Sequence, residues 1–280
     1  MQSNDTTRAL RALHAGERVL LLPNAWDAAS AALFAAAGAT AVATTSAGLA
    51  WSCGYPDGDA LPRASLLFAL RAICRVSGSL PVSADVESGF SDDPEAVADL
   101  VGELSAFGVA GINLEDGGAD PDVLSAKIGA IKRSAAARGD DVFVNARTDV
   151  YLRELASGEA AVREVVARAR RYAAAGADGI FVPGLAEPRE IAAIARAVEL
   201  PLNVMALPQL PSSRELYALG VRRLSAGDAL AARAYGVAQS VAAAFLTGGD
   251  AAVLFSEPAV DYASTNALLA GTAAPPAPRT

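Results

Sequence analysis

The chain has 280 residues, of which 52% are hydrophobic and 19% charged, and its formal net charge is -8. This length and apolar content can bury one large core, and the acidic balance excludes a nucleic-acid-binding surface and favours small-molecule chemistry. The two cysteines form no disulfide framework, the N-terminus lacks a basic segment followed by an apolar one, and no uninterrupted apolar run of roughly 18 residues occurs, so we predict a cytoplasmic protein without a membrane span.

Eight short apolar segments alternate with helix-like segments, a pattern typical of βα units around a parallel sheet. Most are apolar throughout, as strands buried on both faces are. The predicted strands are residues 19–22, 40–44, 81–84, 111–114, 142–145, 179–182, 201–204 and 222–224. We therefore predict an α/β fold, a (β/α)8 TIM-type barrel.

The barrel domain is predicted over residues 1–248 and includes an N-terminal helix over 6–15. Residues 249–280 form a C-terminal extension, in which 251–269 are apolar enough to pack on a neighbouring subunit. Its final residues are rich in proline and alanine, so we predict that they are disordered.

Helix boundaries carry their own signals. An aspartate before a proline marks two helix starts, and Ser212 with Glu215 forms a possible capping box. A glycine precedes several strands, where it can end a helix in the left-handed conformation. These positions are Asp93, Asp120, Gly38, Gly108, Gly176 and Gly220.

Polar or charged residues follow the apolar runs again and again. In a parallel barrel the carboxyl ends of all strands meet at one face, where such folds place their chemistry. We therefore expect the functional site among the residues at these ends: Asn24, Ser46, Asp85, Glu115, Arg147, Asn203 and Ser225.

The segment with the most charged groups near one strand end holds Asp85 and Glu87. In extended backbone, alternate side chains share a face, so both carboxylates can point at one cation. Glu115, at the end of the next strand, would supply a third. Three converging carboxylates suit Mg²⁺ or Mn²⁺. The structural alternative is that these residues only cap loops and helix ends.

Six motifs on successive strands make the chain resemble the isocitrate lyase and phosphoenolpyruvate mutase superfamily from Leu22 to about Phe245. They are residues 23–27 (PNAWD), 44–49 (TTSAGL), 54–58 (GYPDG), 85–87 (DVE), 113–116 (NLED) and 146–149 (ARTD). The resemblance implies a barrel whose last helix is exchanged with a partner subunit, and a homodimer or homotetramer. It also implies a Mg²⁺ ion that binds a 2-oxo acid or its enolate.

The resemblance further implies site residues. Four acidic residues match the metal-site set, directly or through water: Asp57, Asp85, Glu87 and Glu115. Glu87 departs from the aspartate usual in the family. Ser46 and the backbone amides of Gly48 and Leu49 match the segment that holds the substrate carboxylate, and Arg147 matches the arginine that contacts the substrate. Without the family, the same residues can be read as an ordinary strand-to-loop turn and as a local ion pair between Arg147 and Asp149.

Other candidates carry less information. Tyr55 and Tyr151 follow strand-like segments and are possible proton donors, although tyrosines there more often form pocket walls. Asn203 is a candidate wall residue near the substrate. We expect His14 to lie on the surface and Cys53 to be buried and inert.

One loop departs from the lyases of this superfamily. They carry a Lys-Lys-Cys-Gly segment after the position of Glu115, whereas this chain has Asp116-Gly117-Gly118-Ala119 and no cysteine there. The family assigns the proton donor of isocitrate cleavage to that thiol. The departure therefore argues against isocitrate or methylisocitrate lyase activity.

Decarboxylation of an oxaloacetate-type acid needs no such donor, because the enolate can take its proton from water. We therefore predict a Mg²⁺-dependent carbon–carbon lyase acting on a small 2-oxo or 2-hydroxy acid. Two alternatives stay open at this point. One is phosphorus–carbon bond chemistry, as in phosphonopyruvate hydrolase or carboxyphosphonoenolpyruvate mutase, and the other is a 2-oxo-acid-binding protein without turnover.

Overall fold

The computed structural model describes residues 2–270, with side chains from residue 4 onward. The tail 271–280, for which the sequence predicts disorder, lies outside the described residues. Nine strands form one parallel sheet: β1 Leu20–Leu22, β2 Asn24–Ala25, β3 Val42–Thr44, β4 Val82–Asp85, β5 Val109–Glu115, β6 Phe143–Arg147, β7 Gly179–Phe181, β8 Leu202–Met205 and β9 Val221–Ser225.

Helices cover the sheet and extend from it. They are α1 Gln2–His14, α2 Ala28–Ala36, α3 Ser46–Ser52, α4 Arg63–Ser77, α5 Pro94–Ala106, α6 Pro121–Arg138, α7 Gly158–Ala175, α8 Pro188–Ala197, α9 Ser213–Ala218, α10 Ala229–Gly248, a 3₁₀ turn Ala251–Phe255 and α11 Tyr262–Leu269. The predicted helix starts at Asp93 and Asp120 and the capping box of Ser212 with Glu215 are confirmed. The four predicted glycine stops all have positive φ.

The first barrel stave is split at Pro23. β1 pairs with β9, and β2 pairs with β3, so the two pieces connect the ends of the sheet. Proline has no N–H to donate to a ladder, but the Pro23 carbonyl still accepts from the Ala43 amide at 3.1 Å. The nine strands thus form eight staves, and the predicted barrel is confirmed.

The lower end of the barrel is closed by α1, which corrects the prediction for His14. This histidine is buried, its ring stacks on Phe143 with centroids 4.4 Å apart, and its Nδ1 lies 2.7 Å from the Leu10 carbonyl. Because a carbonyl only accepts, Nδ1 carries the proton. Gly111 makes room for this plug, since a Cβ there would lie 2.8 Å from Leu10. The surface prediction was wrong because one face of α1 packs across the barrel floor.

The C-terminal elements leave the barrel. Within α10 only Ala231 is buried, and Leu246 is 81% exposed. Among residues 2–270, α10 is long and apolar enough to cross a membrane. A single such helix is weak evidence for a membrane span. On the barrel itself, Leu21 of β1 is 53% exposed, so the outer face of that stave has no helix over it.

Candidate active site

A cavity of about 250 Å³ opens at the carboxyl ends of the strands. Polar side chains from six different strands or their following loops reach it, as the barrel architecture requires. Its polar lining includes Asn24, Ser46, Asp57, Asp85, Asn113, Arg147 and Ser225, with Trp51, Leu152, Phe181 and Met205 as apolar walls. Sequence reasoning placed five of these, Asn24, Ser46, Asp85, Arg147 and Ser225, at strand ends, and Asp57 came from the family resemblance.

Asp85 ends β4 and lies deepest among the acidic residues of the cavity. Its amide donates to Thr44 Oγ1 at 2.9 Å, and its Oδ2 accepts from the Ser46 amide at 3.4 Å. Its Oδ1 is buried without a hydrogen-bond partner among the described residues. Burial raises the pKa of Asp85, and the charge of Arg147 partly opposes that shift. An orphaned carboxylate oxygen at a cavity wall fits a bound cation.

Glu87 has a strained backbone conformation with φ of 50°, in the left-handed region where residues other than glycine are uncommon. Its carboxylate accepts a hydrogen bond from the Asp59 amide, and Asp59 in turn accepts from the Ser88 amide at 3.3 Å. Lys127 Nζ fixes the same loop by donating to the Ser88 carbonyl at 2.8 Å. Burial, opposed by the Asp59 hydrogen bond, raises the pKa of Glu87 to about 7. The strain is therefore held by a network of several bonds, as at functional sites.

Arg147 ends β6 between two carboxylates. Its Nη1 lies 2.7 Å from Glu115 Oε2, and its Nε and Nη2 lie 2.7 and 3.2 Å from the two oxygens of Asp149. Burial alone would lower the pKa of Arg147, but the charges of Glu115, Asp149 and Asp85 outweigh burial and raise the pKa above its ordinary value. The guanidinium therefore stays charged. The ion pair between Arg147 and Asp149, which the sequence offered as the alternative to a substrate contact, is thus present.

The acidic residues do not gather around one point. Among residues 2–270, no three His, Cys, Asp or Glu side chains are close enough to ligate one ion together. Glu87 turns to Asp59 and Glu115 to Arg147, which is why the expected trio of direct ligands does not form. Burial, countered by Arg147, raises the pKa of Glu115 to about 8. The Oδ1 of Asp85, which has no partner among the described residues, fits a direct contact with a cation.

Six of the expected site residues lie outside the cavity lining: Glu87, Glu115, Asn203, Gly48, Leu49 and Tyr55. Gly48 and Leu49 form the first turn of α3, where the Leu49 amide donates to the Thr45 carbonyl at 3.0 Å and the Gly48 amide lies 3.5 Å from Thr45 Oγ1. A Cβ at Gly48 would lie 2.7 Å from Trp26, so packing requires this glycine. Tyr55 is 39% exposed. In this structure the amides of Gly48 and Leu49 therefore do not line the cavity where a substrate carboxylate would bind, and Tyr55 does not line it as a proton donor would.

Two further predictions change. Cys53 is exposed rather than buried, because it caps the short helix α3 at the surface. Asn203 does not line the cavity but lies beneath it, 1% exposed, inside the barrel.

Asp116 organises the loops around the site, a role that its sequence position beside Glu115 did not predict. Its side chain accepts from Arg168 at 2.8 Å, from the Tyr172 hydroxyl at 2.6 Å and from the amides of Gly118 and Asp149. These hydrogen bonds lower the pKa of Asp116 although burial opposes them. Through Asp116, the short loop after Glu115 is therefore fixed to Asp149, the residue that is hydrogen-bonded to Arg147.

The amino-acid sequence matches a known protein family and several known proteins. The family model described as phosphoenolpyruvate phosphomutase matches residues 10–246. An uncharacterised protein of Mycobacterium tuberculosis is 43% identical over 74% of this chain and 77% of its own length. The oxaloacetate decarboxylase of Bradyrhizobium sp. is 32% identical over 61% of this chain and 59% of that enzyme.

A solved structure agrees. A candidate phosphonomutase from Burkholderia cenocepacia J2315 superposes with a TM-score of 0.80 at 40% identity, covering 85% of this chain and 99% of that one.

Proposed function

Since the chain belongs to the phosphoenolpyruvate phosphomutase family, we propose that it is a Mg²⁺-dependent carbon–carbon lyase that decarboxylates oxaloacetate or a related small 2-oxo diacid through an enolate. The observation that carries the proposal is the unpartnered Oδ1 of Asp85 at the wall of a 250 Å³ cavity that Arg147 also lines. This volume suits a small acid, since pockets for drug-sized ligands are larger.

The proposed metal site uses Asp85 as the direct ligand, and Glu87, Glu115 and Asp57 through water. Mn²⁺ can replace Mg²⁺ in such an oxygen site. A divalent ion there would supply positive charge to the 2-oxo oxygen as the enolate forms. At the proposed metal site, the four carboxyl groups outnumber the one guanidinium group of Arg147, and a bound cation would balance this difference.

The chain's own residues bind and orient the acid. Arg147, held by Glu115 and Asp149, presents a fixed positive charge to the cavity, and Ser46 lines the same cavity. Because these groups are fixed before the substrate arrives, they stabilise the enolate without reorganising. In the reaction, the bond to the leaving carboxylate breaks, carbon dioxide departs, and the enolate takes a proton from water to give the shortened 2-oxo acid.

A panel of substrates tests the proposal. The purified protein with Mg²⁺ is incubated with oxaloacetate, methylisocitrate, dimethylmalate or phosphonopyruvate, and pyruvate release is followed. Turnover of oxaloacetate supports the proposal. Turnover of phosphonopyruvate alone supports the second candidate, phosphorus–carbon chemistry, which the similarity to the Burkholderia protein favours. Oxalate or pyruvate binding without turnover identifies a binding protein, and either of these outcomes overturns the lyase.

The proposed active form is an oligomer in which α10 exchanges between subunits. Support comes from two uncovered surfaces: the apolar side chains of α10 and the exposed Leu21 on β1. A groove of about 680 Å³ beside β1, lined by Leu20, Leu21 and Phe34, has room for apolar side chains of a second copy. A partner's α10 would cover this face, giving a homodimer from which a homotetramer can assemble.

A further inference from the structure

Four polar side chains form a ladder through the barrel interior beneath the cavity. Asn113, Asn145, Asn203 and Arg223 lie on β5, β6, β8 and β9, and none is more than 2% exposed. Asn145 Nδ2 donates to Asn113 Oδ1 at 2.9 Å and to Asn203 Oδ1 at 3.0 Å. Barrel interiors are ordinarily filled by branched apolar residues. A fully buried polar ladder instead specifies one arrangement of its members.

Hydrogen-bond chemistry fixes the orientation of every amide in this ladder. At one end, Arg223 can only donate, and its Nη2 lies 3.2 Å from Asn113 Oδ1 and 3.1 Å from Ser83 Oγ. At the other end, Asn203 Nδ2 donates to the Val204 carbonyl at 2.8 Å. A backbone carbonyl only accepts, so Asn203 must turn its Oδ1 toward Asn145, and the Asn145 amide then donates to both Asn203 and Asn113. The Oδ1 of Asn113 therefore faces into the ladder.

This orientation leaves one group for the cavity. Asn113 lines the cavity with Asp85 and Arg147, and its Oδ1 is taken by Arg223 and Asn145. Within residues 2–270, its Nδ2 has no hydrogen-bond partner, and it is not among the fully buried unpaired atoms. The amide N–H groups are thus turned toward the space where a ligand would lie.

We infer that Asn113 is a substrate-binding residue that donates a hydrogen bond to a carboxylate or enolate oxygen of the acid, and that Arg223 is the positioning residue that holds its amide in the donating orientation. This inference rests on the proposed function and deepens it. The other donor, Arg147, is already engaged by Glu115 and Asp149. Asn113 adds a neutral donor whose hydrogens are free.

Arg223 suits a fixed positioning role because it is charged and enclosed. It is 0% exposed, and its Nε and Nη1 have no partner among the described residues. Burial lowers the pKa of Arg223 to about 9, with the charge of Asp85 opposing the shift, so the group is protonated at neutral pH. A donor that cannot change its role keeps Asn113 from flipping.

The test uses the full-length protein saturated with Mn²⁺ and oxalate as the probe, a planar dianion resembling an enolate. Asn113→Asp keeps the acceptor for Arg223 and Asn145 but replaces the donor by a negative oxygen. We expect oxalate affinity, measured by calorimetry, to fall by about 10- to 100-fold, the range for a hydrogen bond to a charged group. Mn²⁺ affinity, measured separately by electron paramagnetic resonance, should stay equal or rise. Asn266→Asp, the same change on α11, should leave oxalate affinity within about twofold of wild type.

Arg223 is tested through its coupling to Asn113. Arg223→Met should weaken oxalate binding, Arg223→Lys should restore part of it, and Asn113→Leu with Arg223→Met together should bind no more weakly than Asn113→Leu alone. Should Arg223→Met not fold, the Asn113 variants and Arg223→Lys carry the test.

The outcomes separate the two proposals. If wild type binds oxalate and turns over a 2-oxo acid but Asn113→Asp and Asn113→Leu bind oxalate equally well, this inference is wrong and the lyase stands. If Asn113→Asp loses both Mn²⁺ and oxalate, the residue is structural and the inference is also wrong. If wild type neither binds oxalate nor turns over any of the four acids, the proposed function fails, and this inference fails with it.

Discussion

Arg147 and Glu115 form an ion pair of 2.7 Å at the carboxyl ends of adjacent strands, where both side chains are about 15% exposed. Asp149 holds the opposite edge of the same guanidinium. The geometry fixes one positive charge at the wall of the cavity.

Replacing Arg147 by alanine should remove this fixed charge from the enolate. We expect kcat/KM for oxaloacetate to fall by at least about 100-fold, the loss typical for a preorganised stabilising group. Arg153→Ala is the matched control, because Arg153 also contacts Asp149, at 3.5 Å, but is 57% exposed. Its steady-state constants should change by less than about threefold. Equal losses in both variants would contradict the assignment of Arg147.

Asp116→Asn should destabilise the protein, because it breaks a buried ion pair with Arg168 and weakens the hydrogen bond from Tyr172. We expect the free energy of unfolding in urea to drop by about 3 to 5 kcal/mol. Asp122→Asn removes the exposed ion pair between Asp122 on α6 and Arg171 on α7. This control should cost less than about 1 kcal/mol, and a similar cost for both changes would count against the network.

His14 should make stability depend on pH. Burial, reinforced by Arg223, lowers the pKa of His14 to about 4, below its ordinary 6.5. On unfolding, His14 therefore takes up a proton at any pH below about 6.5, whereas in the folded chain it stays neutral down to about pH 4. The free energy of unfolding is thus unaffected by His14 above pH 6.5 and decreases as the pH falls toward 4. Between pH 7.5 and 5, wild type should lose about 2 kcal/mol more than His14→Gln. Equal pH slopes in urea titrations would refute this.

The proposed oligomer should depend on the apolar side chains of α10. Leu246→Asp places a charge on a side chain that is 81% exposed within the chain, so it should leave the isolated subunit folded and prevent association. Light scattering after gel filtration should give the mass of one subunit for this variant and at least two for wild type. Val123→Asp, an exposed apolar residue on α6, is the control and should keep the wild-type mass. A monomeric wild type would contradict helix exchange.

Much of the fold follows from local sequence signals. Short, mostly apolar runs of three to five residues predicted all eight staves, and Asp93, Asp120 and Ser212 marked helix starts, because strand burial and capping act over a few residues. The split at Pro23 was missed, since which neighbour each half pairs with depends on closure of the whole sheet. His14 was misplaced for a similar reason: only the assembled barrel has a floor for α1 to cover.

The candidate site was predictable in position but not in connections. Strand-end residues such as Asp85 and Arg147 indicated where the cavity would lie. The pairing of Arg147 with Asp149 and Glu115, and the bonds of Asn113 to Arg223, depend on side-chain packing across strands far apart in sequence. One signal for the ladder was present: asparagines at 113, 145 and 203 interrupt mostly apolar strands, and a buried polar residue requires a partner.

The most direct test of the account is Mn²⁺ binding to Asp85, followed by electron paramagnetic resonance at neutral pH. Wild type should bind one ion per subunit, and Asp85→Asn, which keeps the size of the side chain, should weaken binding by at least about tenfold and abolish decarboxylation. Asp92→Asn, an exposed aspartate in the loop that follows, should bind like wild type. Unchanged Mn²⁺ affinity in Asp85→Asn would contradict the metal site on which the proposed chemistry depends.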